Sequence, residues 1–164
     1  MRQRIRKWVG IPCGIGIGST KTLAKLANHV AKAADRKPGS YPSELAQVCN
    51  LVAMSQPEFR AVLAGTDLSD IWGVGPRLSE QLKAAGLSSA LDVAQMDPTV
   101  ARSCWSVVFE RTVRELQGIP CIRLEDAPAL RKEIASTRSF GHPVQSEQAL
   151  VQAVTEFVGR PSEK

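Results

Sequence analysis

Residues 66–97, TDLSDIWGVGPRLSEQLKAAGLSSALDVAQMD, contain the pattern that decides how this chain folds. Gly73 and Gly75 bracket an apolar residue, Val74, which is typical of a tight hairpin between short helices. Pro76 suits the first position of the helix that follows, because proline has a fixed φ and needs no N–H partner there. The pattern therefore predicts a helix-hairpin-helix.

The predicted hairpin also suggests what this part of the surface binds. Its glycines would bring backbone N–H groups to the surface beside a helix N-terminus, where the helix dipole favours negative charge. Such amides can hold a nucleic-acid phosphate without reading base sequence. The alternative interpretation is an ordinary helical turn that binds nothing.

Upstream of the hairpin, residues 11–18 (IPCGIGIG) alternate between two faces, as a β-strand does. The apolar side chains fall on one face, and Gly14, Gly16 and Gly18 fall on the other. A face without side chains lets another group approach the backbone closely. That group could be a packed helix or a ligand, and a packed helix is the more common explanation.

The next segment predicts a helix that Ser19 or Thr20 caps and that runs to about Ala34. One face of this helix is aliphatic, and the opposite face carries only basic or imidazole groups: Lys21, Lys25, His29 and Lys32. Residues 1–37 hold nine Lys and Arg against one Asp, so they contribute +8 to a total of +5. A concentrated positive region favours a polyanionic partner, although a solvated basic terminus is the alternative.

The remaining periodicities indicate an α+β fold that is mostly helical. They predict a short strand near 48–53, helices at 57–64, 76–85, 89–95 and 98–117, a linker at 118–131, a strand at 132–140 and a last helix near 147–158. On the late strand, Arg138 and Ser139 lie close enough in sequence to hold a phosphate.

Several classes of function find no support in the sequence. The stretch GIGIGSTKT fails the phosphate-loop pattern because Thr20 precedes Lys21, which makes a nucleotide hydrolase the weakest hypothesis. Acidic residues are absent before Asp35, and the later ones look like helix caps and solvated faces. The four cysteines are too scattered for a metal site, and no apolar run could span a membrane. We expect a cytoplasmic protein.

Taken together, these motifs resemble the Y-family translesion DNA polymerases, and within them the UmuC type, the catalytic subunit of DNA polymerase V. The resemblance is carried by GIGIGSTKTLAKLANHVAK (14–32), DLSDIWGVGPRLSEQLKAAGL (67–87), VFERTVRELQGIPC (108–121) and KEIASTRSFG (132–141). It implies a partial palm at 1–54, a helical thumb at 55–119, a linker at 120–131 and a truncated little finger at 132–164.

The resemblance also implies that the protein functions in SOS-type damage tolerance, and it assigns contacts to individual residues. In the family, a lysine at the end of the palm helix contacts the nucleotide triphosphate; Lys32 falls there, and Lys25 lies in the family's LAK motif on the same face. The contacts it implies to the backbone of primer–template DNA are Gly73, Val74, Gly75, Arg77, Arg138 and Ser139. The family uses magnesium, and a UmuD-like subunit is an implied partner.

The family's metal-binding carboxylates have no counterparts in this sequence. We therefore expect a polymerase fragment, inactive alone, that binds at most the DNA backbone and holds no cofactor. The alternative is a stand-alone helix-hairpin-helix module that binds DNA.

Overall fold

The computed structural model describes residues 1–122, 144 and 146–159, with side chains to residue 156. The chain divides into two units, Met1–Leu124 and Glu125–Lys164. The first unit holds helices α1 (Arg2–Val9), α2 (Lys21–Arg36), α3 (Gln56–Ala64), α4 (Pro76–Ala84), α5 (Ala90–Gln95), α6 (Pro98–Cys104) and α7 (Val107–Leu116), and strands β1 (Ile15–Ile17) and β2 (Val48–Asn50). In the second unit, α8 spans Glu147–Gly159. The prediction of an α+β, mostly helical fold is confirmed.

The two strands pair in parallel, with Ile15 opposite Val48 and Ile17 opposite Asn50. Both are shorter than the alternating patterns suggested. The second strand ends because the Asn50 side chain accepts a hydrogen bond from the Val52 amide, which turns the chain into a single 3₁₀ turn. A parallel pair needs a crossover connection, and α2 provides it.

Helix α2 packs directly on the glycine face of β1. A Cβ atom at Gly16 would lie 2.2 Å from the Asn28 amide nitrogen, and one at Gly18 would lie 2.5 Å from the Ala24 amide nitrogen. The Asn28 side chain also donates a hydrogen bond of 2.9 Å to the Gly14 carbonyl. The face without side chains is therefore explained by helix packing, as the sequence favoured, and not by a ligand.

The start of α2 is the predicted one. The Thr20 hydroxyl accepts a hydrogen bond from the Leu23 amide, which is the expected N-cap geometry. The aliphatic face of the helix is buried in the main core, through Leu23, Leu26, Ala27, Val30 and Ala31. The Thr20 cap and this buried face stabilise the helix.

One long helix predicted at 98–117 is wrong, because the structure breaks it into α6 and α7. Trp105 leaves helical geometry with φ −128° and ψ −77°. Ser106 then starts α7, and its hydroxyl accepts a hydrogen bond of 3.1 Å from the Phe109 amide. Trp105 packs edge-on against the Phe109 ring, with the ring centroids 5.6 Å apart. The corner is thus fixed both by a serine cap and by an aromatic contact.

In the predicted helix-hairpin-helix, α3 is the first helix and α4 is the second. Residues before the hairpin form one 3₁₀ turn, Leu68–Asp70. The reason is local: the Asp67 carboxylate accepts from the Ser69 amide at 2.9 Å, which satisfies a tight turn without further helix. Ile71 and Val74 then enter the core with 2% and 6% exposure, so the hairpin is anchored from beneath.

None of the helices that the structure describes is long and apolar enough to cross a membrane.

Candidate nucleic-acid interface

The turn at Gly73–Gly75 has one position that demands glycine. Gly73 has φ +95°, and a Cβ there would lie 3.1 Å from the Thr112 hydroxyl oxygen. Val74 points inward, and its amide donates a hydrogen bond of 3.0 Å to the Ile71 carbonyl. Val74 therefore holds the turn in place, while the amides available to a ligand are those of Gly75 and Arg77, which follow it.

Gly75 opens α4 without a side-chain cap. Pro76 has no N–H, and in the described part of the chain no acceptor reaches the amides of Gly75 and Arg77. A Cβ at Gly75 would meet nothing within 4 Å, so the space in front of this helix N-terminus is open. Arg77 is exposed and has no carboxylate partner among the described residues. Unpaired amides and an exposed arginine at a helix N-terminus are features that favour an anion.

The basic face of α2 is turned toward this hairpin. The Lys25 ammonium lies 4.3 Å from the centroid of the Trp72 ring, in a cation–π contact. One turn further along, His29 Nε2 lies 3.5 Å from Asp70 Oδ2. Sequence reasoning placed Lys25 correctly on the polar face but missed Trp72 and Asp70. Only the tertiary fold shows that these residues meet, because they are more than 40 positions apart.

Lys32 lies elsewhere on the same helix. It is exposed and lines a cleft of about 380 Å³ together with Arg36, Lys37 and Tyr41. Neither Lys25 nor Lys32 forms an ion pair with a residue that the structure describes. The role of Lys25 and Lys32 as triphosphate contacts stays a prediction.

The N-terminus of α2 is already occupied by a carboxylate from α7. Glu115 is fully buried. Its Oε2 accepts hydrogen bonds from the Thr22 amide at 2.9 Å and the Thr22 hydroxyl at 2.8 Å. Its Oε1 accepts from the amides of Cys121 at 3.1 Å and Ile122 at 2.9 Å. The protein therefore supplies its own anion at this terminus.

Glu115 joins three separate segments through one side chain. Its backbone carbonyl also accepts a hydrogen bond of 2.8 Å from the Thr20 hydroxyl. Burial raises the pKa of the Glu115 carboxyl, but the hydrogen bonds from Thr22, Ile122 and Cys121 outweigh burial, so its pKa lies below the ordinary glutamate value. The Glu115 carboxylate is therefore buried and ionised, and it connects α2, α7 and the segment at Cys121.

Asp92 and Asp97 are helix caps, as the sequence suggested, whereas Glu110 is buried and pairs with Arg102 and Arg114. Asp92 accepts from the amides of Ser88 and Ser89, and these bonds lower its pKa. Asp97 caps α6 by accepting from the Thr99 amide, which lowers its pKa too. Within the described ranges, no group of three or more His, Cys, Asp or Glu side chains could hold a metal ion. These carboxylates do not fit a magnesium site.

Arg138 and Ser139, the predicted contacts on the late strand, lie outside the described residues, as does that strand.

Comparison with known proteins supports the assignment of the hairpin. The IMS family HHH motif matches residues 57–87, which include all of α3 except its first residue, the glycine turn and α4. The match is short relative to the chain, so it identifies this motif and not the whole architecture.

Relatives extend the similarity over the whole chain. The chain is 39% identical over 165 residues to UmuC and 38% identical over 164 residues to ImpB, both from Salmonella typhimurium, with all of this chain covered. It is 26% identical over 166 residues to DNA polymerase IV from Halobacterium salinarum, with 98% of this chain covered. In each case the chain spans 37% of the relative's length.

Proposed function

We propose that this chain, a homologue of part of the UmuC-type Y-family proteins, holds the sugar–phosphate backbone of DNA at the turn formed by Gly73, Val74 and Gly75. Arg77 supplies positive charge beside that turn. The chain corresponds to part of an error-prone translesion polymerase, and primer–template duplex is its partner. Binding is independent of base sequence, because backbone amides and an arginine contact phosphate and not base edges.

One observation carries the proposal: among the residues that the structure describes, no acceptor reaches the amides of Gly75 and Arg77, and the Cβ position of Gly75 is open. A glycine at the cap and a proline at the first helical position leave room for a phosphate oxygen to reach them. Relatives named DNA polymerase IV make DNA the expected source of that phosphate. The net positive charge of residues 1–37 favours the same polyanion.

Substitution at Gly75 tests the site without disturbing the fold. Gly75 has φ −81° and an open Cβ position, so Gly75→Ala should leave the free energy of unfolding within about 0.5 kcal/mol of the original. The added methyl group would stand where a phosphate oxygen approaches, and we expect duplex affinity to fall about five- to tenfold. Fluorescence anisotropy with a labelled duplex measures this.

Gly65→Ala is the matched control, because Gly65 also has φ −81° and its Cβ would make only ordinary contacts. It should change neither stability nor affinity. Unaltered DNA affinity in Gly75→Ala would contradict the proposal.

We do not propose that the chain catalyses DNA synthesis by itself. Its described residues do not fit a magnesium site, so we expect no primer extension when magnesium and nucleotides are supplied. A gel-based extension assay, with an intact translesion polymerase as positive control, measures this. Incorporation that persists across independent, contaminant-free preparations would overturn the expectation.

The sequence predicts a cytoplasmic protein, and the resemblance implies a UmuD-like subunit as a second partner. We propose both. Co-purification of the full chain with a tagged UmuD-like protein, and its recovery in a cytosolic fraction, are the corresponding tests.

A further inference from the structure

The contact between Lys25 and Trp72 places a positive charge at the hairpin itself. Trp72 directly precedes Gly73, and the Lys25 ammonium sits 4.3 Å from its ring centroid. Lys25 comes from α2, nearly 50 residues earlier in the chain. The side chain is exposed, so the N–H groups that do not face the ring remain open to solvent.

The hairpin has other anchors besides this contact. Ile71 and Val74 already anchor the hairpin in the core, and His29 and Asp70 make a second tie to α2. Trp72 is 39% exposed, which is high for a residue that only fills space.

We infer that Lys25 is a DNA-backbone contact that acts with the glycine turn, and that Trp72 is a positioning residue that presents it. This inference rests on the proposed function and changes one part of the expectation from sequence, in which Lys25 served the nucleotide triphosphate. Lys25, Arg77 and the Gly75 amide then form one phosphate-binding surface, to which α2 and α4 both contribute.

Lys25 and Trp72 are expected to affect two different measured quantities: the dependence of DNA affinity on salt and the affinity itself. A lysine loses rotamer freedom when it binds phosphate, and a ring that already restrains its ammonium reduces that loss. Trp72 therefore adds affinity without adding charge. Lys25 adds charge, and each neutralised phosphate contributes about 0.9 to the slope of log affinity against log salt concentration. Salt titration can tell the two roles apart.

The experiment measures duplex affinity of the full chain by anisotropy over a series of salt concentrations. Lys25→Gln should weaken binding and reduce the magnitude of the slope by about 0.9. Trp72→Ala should weaken binding about two- to fivefold at every salt concentration and leave the slope unchanged. Trp72→Phe keeps an aromatic face and should recover part of that affinity.

Lys83→Gln is the matched control, since it removes the same charge at the far end of α4, where Lys83 pairs with Asp67 at 3.3 Å. It should leave the slope as it was. A slope in Lys25→Gln equal to that of Lys83→Gln overturns the inference, as does undiminished affinity in Trp72→Ala. Because Lys25 lies exposed on a helix, its variant is expected to fold even if Trp72→Ala does not.

Different results would refute the proposed function and the role of Lys25. If the original chain shows no salt-dependent duplex binding, the proposed function itself is wrong. If Arg77→Gln reduces the slope while Lys25→Gln does not, the hairpin binds DNA and only the role of Lys25 is refuted.

Discussion

Gly16→Ala is expected to prevent folding of the first unit or to lower its free energy of unfolding by more than about 4 kcal/mol. The new Cβ would lie 2.2 Å from the Asn28 amide nitrogen and 2.4 Å from the Ala24 carbonyl oxygen. Both atoms belong to the backbone of α2, so no side-chain rotation relieves the overlap. Helix α2 would have to move away from β1, and its buried aliphatic face would lose contacts across the core.

Urea denaturation followed by circular dichroism measures the effect, with Gly14→Ala as the control on the same face. At Gly14 the added Cβ would lie 3.3 Å from the Lys32 Cγ atom, part of a flexible side chain that can move. Its cost should stay within about 1 kcal/mol. Equal stability of the Gly14 and Gly16 variants would show that helix and strand do not meet as closely as described.

Much of this packing could be predicted from the sequence, because alternation and helical periodicity are local signals. The three glycines on one strand face predicted a close neighbour, and the aliphatic stripe on α2 supplied one. The corner at Trp105 and Ser106 was missed because the helical pattern continues through it. Ser106 could have been recognised as a cap, but a serine inside a helical pattern more often faces solvent than starts a new helix.

The candidate site was also only partly predictable from the sequence. The glycine turn was predictable because its residue types are set by backbone geometry within four positions. The partners of α2 were not, since Trp72, Asp70 and Glu115 reach it from distant parts of the chain. The absence of acids from one helix face shows only which side chains the helix itself contributes to that face. It cannot indicate which carboxylate or ring the fold brings there.

Glu115→Gln should lower the free energy of unfolding by about 2–4 kcal/mol at neutral pH. The carboxylate accepts two hydrogen bonds on each oxygen, and all four donors come from Thr22, Cys121 and Ile122. In glutamine, one oxygen is replaced by an NH₂ group, which would face a backbone N–H that has no other acceptor among the residues that the structure describes. Glu80→Gln, on the exposed face of α4, is the matched control and should change stability by less than about 0.5 kcal/mol.

The difference in stability between the original chain and Glu115→Gln should also depend on pH. The pKa of Glu115 is lower in the folded protein than the ordinary glutamate value, so the folded state favours the ionised form. Its contribution is complete above that ordinary value and is lost as the pH falls through the lowered folded pKa. Because Asp92 and Asp97 titrate in both proteins, comparing the two proteins at each pH isolates Glu115. Denaturation midpoints at several pH values between neutral and strongly acidic should therefore converge. A difference in stability between the two proteins that stays constant into strong acid would mean that Glu115 is not an ionised carboxylate connecting α2, α7 and the segment at Cys121.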